Sequence, residues 1–185
     1  MRIYDRLRCL HGAFIEAKRK QYLQNLKRKG LTLGENVEIV GSFFFDPSHC
    51  FLISIGDCCT ICPNVRLIAH DASTKKHLGY TKIGRITIKA RCFIGDSVIV
   101  LPSVAIGPDV IVGAGSVVVQ DIPPNTVAAG NPARVVSTLE DYLQKIASLR
   151  IRTRVFSEEY YHDRLDDAKR REILDSLGDS FGFIV

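Results

Sequence analysis

The sequence predicts an all-β solenoid, a coil of short strands with helices before and after it. Three observations support this prediction: a six-residue repeat of bulky aliphatic residues, two interruptions of that repeat, and helical spacing of apolar residues at both ends of the chain. The chain has 185 residues and 46% hydrophobic content, which is enough to bury one core. We therefore expect one compact domain with terminal additions.

The repeat has a period of six. A bulky aliphatic residue returns without exception at Ile88, Ile94, Val100, Ile106, Val112 and Val118. Small or β-branched residues follow each of them by four positions, at Cys92, Val98, Val104, Val110, Ser116 and Ile122. An earlier block has the same spacing at Ile55, Ile61 and Leu67, and an imperfect first turn of the coil spans Leu33 to Ile39. Helices and strands repeat with periods of about 3.6 and 2, so a coil whose turns bury residues against neighbouring turns fits better.

Glycine often follows the repeated aliphatic residue, at Gly95, Gly107 and Gly113. These glycines are predicted to form tight corners that need a positive φ or a close approach of two backbones.

The repeat is interrupted twice. Ile88 does not lie a multiple of six residues after Leu67, so residues 68–87 are predicted to leave the coil as an extruded loop. A second interruption surrounds the segment FFFDPSHC. Loops that project from a rigid scaffold commonly carry binding and catalytic groups. Three of the five histidines, His49, His70 and His77, lie in these interruptions.

Residues 1–30 are predicted to form a basic amphipathic helix. The first 29 residues hold nine Lys/Arg against two acids, and apolar residues recur at Ile3, Leu7, Leu10, Phe14, Ala17, Leu23 and Leu26. The basic face is either simply solvated or rests on an anionic membrane surface near a lipid-linked substrate. No nucleic-acid recognition motif accompanies the charge, so we expect no nucleic-acid partner.

The coil domain is predicted to span residues 31–136, and residues 137–185 to form a C-terminal helical extension. The prolines of IPPNTVAAGNPARVV predict that the regular repeat stops after Asp121. Beyond the coil, apolar residues recur at helical spacing at Leu139, Tyr142, Leu143, Ile146 and Leu149.

Composition also predicts the compartment and the state of the cysteines. No run approaches the roughly 18 consecutive apolar residues of a membrane span, and the N-terminus lacks a secretory apolar core, so we expect a cytoplasmic protein. Cys58, Cys59 and Cys62 do not have the spacing of a paired CxxC site. Together with Cys92 they are predicted to be reduced structural thiols, without a metal.

The loop NVRLIAHDAS and the stretch from IGDSVIV to AAGNPARVV resemble the hexapeptide acyltransferases. The similar branch contains maltose and galactoside O-acetyltransferases and sugar acetyltransferases of surface-polysaccharide pathways. The resemblance covers about Leu33 to Val136. It implies a left-handed β-helix, a homotrimer and an acetyl-CoA cosubstrate in a groove between protomers, with no metal required. The implied reaction is O-acetylation of a sugar or of a surface-polysaccharide precursor.

The resemblance implies that His70 is the general base. An alcohol that attacks a thioester must lose its proton, and imidazole, with an ordinary pKa near 6.5, can accept it at neutral pH. Asp71 follows His70 directly, and we interpret it as a residue that shapes the loop rather than as a partner of the base.

The resemblance also implies the binding residues. The positions carried over for acetyl-CoA are Asp96, Ala114, Val119, Gln120 and Arg134, with Arg134 meeting a phosphate. The candidates for binding the acceptor hydroxyl, in the two interruptions, are Asp46, His49, Tyr80 and Lys82.

Three other interpretations remain open at this stage. The acceptor could be an amine, as in N-acetylation of an amino sugar, or another small hydroxyl compound. A carbonic anhydrase-like zinc protein needs three histidines, and no histidine lies between Leu78 and Tyr161 to supply a ligand from a later turn. A non-catalytic scaffold would leave His70 without a role.

Overall fold

The structure is a computed structural model that describes residues 3–185, with side chains described from residue 14 onward. The chain forms two compact units. The first ends at Leu139 and the second comprises Glu140–Val185. Among the described residues, no helix combines the length and the apolar character that crossing a membrane requires.

The first unit consists of a helix followed by strands, most of which enter three sheets in rotation. The helix is α1 (Ile3–Arg28). The strands are β1 (Thr32–Leu33), β2 (Glu38–Ile39), β3 (Phe43–Phe45), β4 (Ile53–Ile55), β5 (Thr60–Ile61), β6 (Val65–Leu67), β7 (His70–Asp71), β8 (Lys82–Ile83), β9 (Ile86–Ile88), β10 (Phe93–Ile94), β11 (Ile99–Val100), β12 (Val104–Ile106), β13 (Ile111–Val112), β14 (Val117–Val118), β15 (Thr126–Gly130) and β16 (Ala133–Thr138). A short helix, α2 (Lys75–Leu78), lies between β7 and β8. The strands from β1 to β14 enter the three sheets in rotation apart from β7 and β8, which pair with each other.

Each sheet collects every third strand of the repeat. The first sheet has the order β1-β4-β9-β12, the second β16-β15-β13-β10-β5-β2 and the third β14-β11-β6-β3. All neighbours in these sheets are parallel except β15 and β16. We call one strand from each of the three sheets in succession a rung.

The register confirms the six-residue repeat. The strands of adjacent rungs pair Ile88 with Ile106, Ile94 with Val112 and Val100 with Val118. All the repeated aliphatic residues from Ile55 to Val118 are buried, as are the smaller partners from Cys92 to Ile122. These inward side chains stack from rung to rung and form one continuous core.

The corners between strands include the predicted Gly107, which adopts a φ of 66°, but most of the positive-φ corner positions are other residues. A positive φ recurs at every sixth residue, at Arg91, Ser97, Ser103, Asp109 and Gly115. Gly95 instead permits close approach, since a Cβ there would lie 2.6 Å from the Ala114 backbone nitrogen of the next rung. Close backbone packing and a positive φ, the two reasons given for glycine at the corners, therefore apply at different positions of the rung.

The predicted stop after Asp121 is wrong. Ile122 still forms a parallel bridge with Ile106, and β15 pairs in parallel with β13. Pro123 and Pro124 occupy the exposed corner between these pairings, where no backbone N–H has to be donated to a sheet. The second sheet then ends with β16, which returns antiparallel to β15.

The C-terminal half of α1 packs on the first rung. Leu26 is buried, and Tyr22 and Leu23 pack against the core. Phe14 and Ala17 are exposed, so the predicted apolar face of the helix is covered only near its end. The other predicted members of that face, Ile3, Leu7 and Leu10, and the basic residues Arg2, Arg6 and Arg8 lie outside the described side chains.

The second unit is built around helices α3 (Leu139–Arg152) and α4 (Asp167–Leu177), α3 beginning at the last residue of the first unit. Two short parallel strands, β17 (Val155–Phe156) and β18 (Phe183–Ile184), pair within it. Asp166 caps α4, because its carboxylate accepts a hydrogen bond from the Lys169 backbone N–H. Phe156 is the buried apolar residue of this unit.

Candidate active site

The chain leaves the rungs between β6 and β9, and His70 lies at the start of this excursion loop (residues 68–85). Strands β7 and β8 pair antiparallel, with His70 opposite Ile83. Ile68 still donates to the Val100 carbonyl at 2.9 Å, and Gly84 donates to the Ala69 carbonyl at 3.0 Å. Both ends of the loop are therefore tied to ordered backbone, which fixes the position of His70.

Asp46 reaches His70 through the pairing of β3 with β6. Phe45 and Leu67, the last residues of these strands, lie opposite each other, and the Asp46 N–H donates to the Leu67 carbonyl at 2.9 Å. The first residues of the two interruptions therefore emerge side by side. Asp46 and His70 are far apart in the sequence, and the pairing of β3 with β6 brings them together.

The Asp46 carboxylate and the His70 ring form a dyad. Asp46 Oδ2 lies 2.5 Å from His70 Nδ1 and also accepts the Ala69 N–H at 3.1 Å. Asp46 Oδ1 accepts the N–H groups of Ser48 and His49 at 3.2 and 3.3 Å. Asp46 is fully buried, whereas the His70 side chain is 35% exposed. A carboxylate at Nδ1 selects the tautomer that leaves the Nε2 lone pair free on the far side of the ring.

The surroundings of Asp46 keep it ionised. Burial raises the pKa of its carboxyl, but the hydrogen bond from His70, the nearby His70 charge and the two backbone N–H groups outweigh this effect. The pKa of Asp46 is therefore below its ordinary value. At neutral pH, His70 faces a carboxylate.

His49 lies near the same carboxylate oxygen, beside the His70 ring. Its Nδ1 is 3.8 Å from Asp46 Oδ2, and its ring centroid is 4.8 Å from that of His70. This Nδ1 atom is buried and has no hydrogen-bond partner among the described residues. Asp46, His49 and His70 therefore form one cluster.

The structure places the predicted acceptor residues in two groups. Asp46 and His49 adjoin His70, while Tyr80 and Lys82 lie exposed on the excursion loop, Lys82 opposite Asp71 in the β7–β8 pair. The burial of Asp46 differs from the predicted role in binding an acceptor hydroxyl, because its oxygens already accept four hydrogen bonds from the protein. Sequence reasoning missed its contact with His70.

The predicted cofactor residues are all exposed along successive rungs: Asp96, Ala114, Val119, Gln120 and Arg134. Asp96 and Ala114 follow the paired strands β10 and β13, and the Asp96 carbonyl accepts the Gly115 N–H at 2.8 Å. Arg134 lies on β16, opposite Ala129 of the adjoining strand. Asp96, Ala114 and Arg134 therefore lie on the second sheet or at the corner that follows its strands.

Asp96 has hydrogen-bond partners of its own. Its carboxylate accepts from Asn64 Nδ2 at 3.3 Å and from Ser97 Oγ at 2.7 Å. These contacts hold the acid at the exposed corner rather than in the core.

The described cysteines are unpaired: Cys50, Cys58, Cys59, Cys62 and Cys92. Cys59 and Cys92 occupy inward positions of adjacent rungs and are buried, as the repeat predicts. The Cys92 N–H donates to Cys59 Sγ at 3.4 Å. These two thiols therefore act as small core residues.

Comparison with known proteins defines the class of the coil. Residues 85–120 match the family model described as bacterial transferase hexapeptide, with six repeats. This match covers all six of the buried aliphatic positions that recur every six residues from Ile88 to Val118. The resemblance to hexapeptide acyltransferases is thereby confirmed.

Individual relatives and solved structures carry more specific names than the family model. The galactoside O-acetyltransferase of Escherichia coli K12 is 36% identical over 115 residues, covering 58% of this chain and 57% of that protein. A maltose O-acetyltransferase structure from Clostridium difficile 630 shares 40% identity with a TM-score of 0.51, covering 57% of each chain. A hexapeptide-repeat acetyltransferase of Vibrio cholerae, complexed with acetyl coenzyme A, shares 30% identity with a TM-score of 0.53, covering 60% of this chain and 61% of that one. The chain thus spans less than two thirds of the curated relatives that it matches.

Proposed function

We propose that this protein transfers the acetyl group of acetyl-CoA to a hydroxyl of a sugar or a surface-polysaccharide precursor, on a left-handed β-helix. The observation that carries the proposal is the buried Asp46 carboxylate at His70 Nδ1, which leaves Nε2 free to act as a base. The names of the galactoside and maltose relatives support a sugar hydroxyl as the acceptor. The acetyl coenzyme A in the Vibrio cholerae structure supports the donor.

The reaction begins with proton transfer to His70. Nε2 accepts the proton of the acceptor hydroxyl while the oxygen attacks the thioester carbonyl carbon. A tetrahedral intermediate forms, and the histidine becomes an imidazolium. When the C–S bond breaks, the imidazolium returns the proton to the CoA sulfur, so the products are an ester and free CoA thiol.

Asp46 acts through His70 as a positioning residue. It holds the ring by accepting the Nδ1 hydrogen, and its negative charge stabilises the imidazolium formed in the transition state. Its backbone hydrogen bonds prevent it from rotating away. His49, Tyr80 and Lys82 are then the proposed contacts for the acceptor, since they lie beside the dyad or on the same loop.

The donor is proposed to lie along the line of exposed residues on successive rungs. Ala114 is small and exposed, so a pantetheine chain can approach the backbone there. Arg134 supplies a cation for a CoA phosphate. Val119, Gln120 and Asp96 complete this proposed contact line.

The direct test is release of CoA thiol from acetyl-CoA by the purified protein. The acceptor panel contains galactosides, maltose, an amino sugar and serine, each with a matched reaction lacking acceptor. We expect acceptor-dependent thiol release with at least one hydroxylated sugar and an O-acetyl product by mass spectrometry. Transfer only to the amine, or no acceptor-dependent release, contradicts the proposal.

Replacing Ala114 by Trp tests the donor line. We expect CoA affinity to fall at least about tenfold, because the indole would occupy space proposed for pantetheine, while the melting temperature stays close to that of the wild type. Isothermal titration with CoA measures the affinity. Ala147→Trp, at an exposed position of α3, is the matched control and should bind CoA normally. Equal affinity in the two variants would place the cofactor along another edge.

A homotrimer with grooves between protomers is part of the proposal, because an exposed histidine on one sheet edge needs a second surface to shield the thioester. If one chain supplies His70 and the next supplies Ala114, mixing His70→Ala chains with Ala114→Trp chains restores some grooves. Random reassembly should give about a quarter of wild-type activity, since only one of the four equally frequent pairings of adjacent chains combines an intact His70 with an intact Ala114 in the same groove. Each parent reassembled alone should stay nearly inactive, provided that all assays use acetyl-CoA well below the Kd of the Ala114→Trp variant. Mixed trimers verified by native mass spectrometry without recovery would put base and donor site on one chain.

A further inference from the structure

The cluster of Asp46, His49 and His70 has a property that the proposed reaction does not use. One ligand-type atom of each residue lies within 4.8 Å of the other two. Two imidazole nitrogens and a carboxylate oxygen form a donor set typical of zinc sites with three protein ligands. The cluster therefore has the chemistry of a cation site as well as that of a base.

His49 provides the strongest indication. Its Nδ1 is buried without a hydrogen-bond partner among the described residues. The Asp46 oxygen at 3.8 Å is beyond hydrogen-bond distance. A ring nitrogen that makes no hydrogen bond can offer its lone pair to a metal ion when the neutral ring carries its hydrogen on Nε2.

The spacing suits a tetrahedral ion. Zinc bonded to nitrogen and oxygen at ordinary lengths holds its ligand atoms about 3.3 Å apart. The observed separations bracket this value, at 2.5 Å between Asp46 Oδ2 and His70 Nδ1 and 3.8 Å between Asp46 Oδ2 and His49 Nδ1. The third separation, between the two imidazole atoms, is at most 4.8 Å, so shifts of up to about 1.5 Å in these side chains would bring the three ligands to tetrahedral geometry.

We propose that Asp46, His49 and His70 bind Zn²⁺ through the carboxylate and both Nδ1 atoms, with a water as fourth ligand on the exposed side of His70. Zinc needs the Nδ1 lone pair of His70, so the proton that Nδ1 shares with Asp46 moves to Nε2 and the ring stays neutral. Nε2 then carries a hydrogen and cannot accept the proton of a hydroxyl. Bound zinc would thus inhibit the reaction, a consequence that rests on the proposed function; the binding itself does not.

The binding test uses the untagged full-length chain and Co²⁺, whose visible absorption reports tetrahedral coordination. We expect one Co²⁺ per chain, displaced by Zn²⁺. His49→Gln should weaken Co²⁺ binding at least about tenfold, because one ligand is lost. His77→Gln, an exposed histidine of the same excursion loop, is the matched control and should bind as the wild type does. Absent tetrahedral bands, or equal affinity in His49→Gln and wild type, would overturn the site.

The activity test separates this site from the proposed reaction. Each variant is compared with its own metal-free acetyl transfer. His49→Gln should need at least about tenfold more Zn²⁺ for half inhibition than wild type or His77→Gln. If Co²⁺ and Zn²⁺ bind through His49 while activity persists, the metal site stands and His70 is not the base. If neither ion binds, the metal site is wrong whatever the activity.

Discussion

Replacing His70 by Ala should lower turnover by about 100- to 10,000-fold, which is the usual contribution of a general base. CoA affinity and melting temperature should remain close to the wild-type values. The ring is 35% exposed at the edge of the excursion loop, so its removal leaves no large cavity in the core. Steady-state thiol release measures the turnover, and thermal unfolding measures the stability.

His77→Ala is the matched control for this change, because it removes an exposed histidine from the same excursion loop. It should keep near wild-type turnover. A His70→Ala enzyme that retains more than half of the wild-type rate would refute the assignment of the base.

Replacing Asp46 by Asn should lower kcat at least about 100-fold, since the amide is nearly isosteric but cannot stabilise the imidazolium or select the tautomer. We expect KM for the acceptor to change little, because buried Asp46 is proposed to act through His70 rather than on the substrate. If the Asp46 carboxylate only supported the fold, its replacement would not lower kcat while leaving KM unchanged. Asp71→Asn, at the exposed acid beside His70, should keep most of its activity.

The effect of Asp46→Asn on stability should depend on pH. The pKa of Asp46 is lowered by folding from an ordinary value of 3.8, so its ionised form stabilises the fold above that value, and this contribution is lost as the pH falls through the lower folded pKa. The difference in unfolding free energy between wild type and Asp46→Asn should therefore shrink on acidification below about pH 4. Denaturant titrations across this range measure it. A constant difference would show that Asp46 is not ionised in the native protein.

The coil could be predicted because each inward residue contacts its counterparts in the neighbouring rungs. Such contacts impose a fixed period on the sequence, so Ile88, Ile94 and Val100 already indicate three successive short strands. The number of strands in a rung is shown only by the structure, which pairs each of these residues with the one 18 positions later. The corner conformations were harder to predict. Arg91 and Asp109 adopt a positive φ without a glycine, since the repeated turn geometry overrides the preference of the individual residue.

The dyad could not be predicted from the repeat. Asp46 and His70 lie in different interruptions, and the irregular spacing between Ile39 and Ile55 hides the phase of β3 relative to β6. A signal was nevertheless present. Aligning Phe45 with Leu67 as the last inward residues of their strands would have placed Asp46 beside the segment that carries His70. Sheet register, rather than local sequence, brings the two side chains together.

The contact between α1 and β2 also has a bearing on solubility. β2 is the outermost strand of the second sheet, and an uncovered edge of this kind invites a strand from another molecule. The Arg19 guanidinium donates to the Ile39 and Gly41 carbonyls at 2.5 and 3.1 Å. These are acceptors that an incoming strand would need. Through Arg19, helix α1 therefore covers part of the backbone edge with which a strand from another molecule would pair.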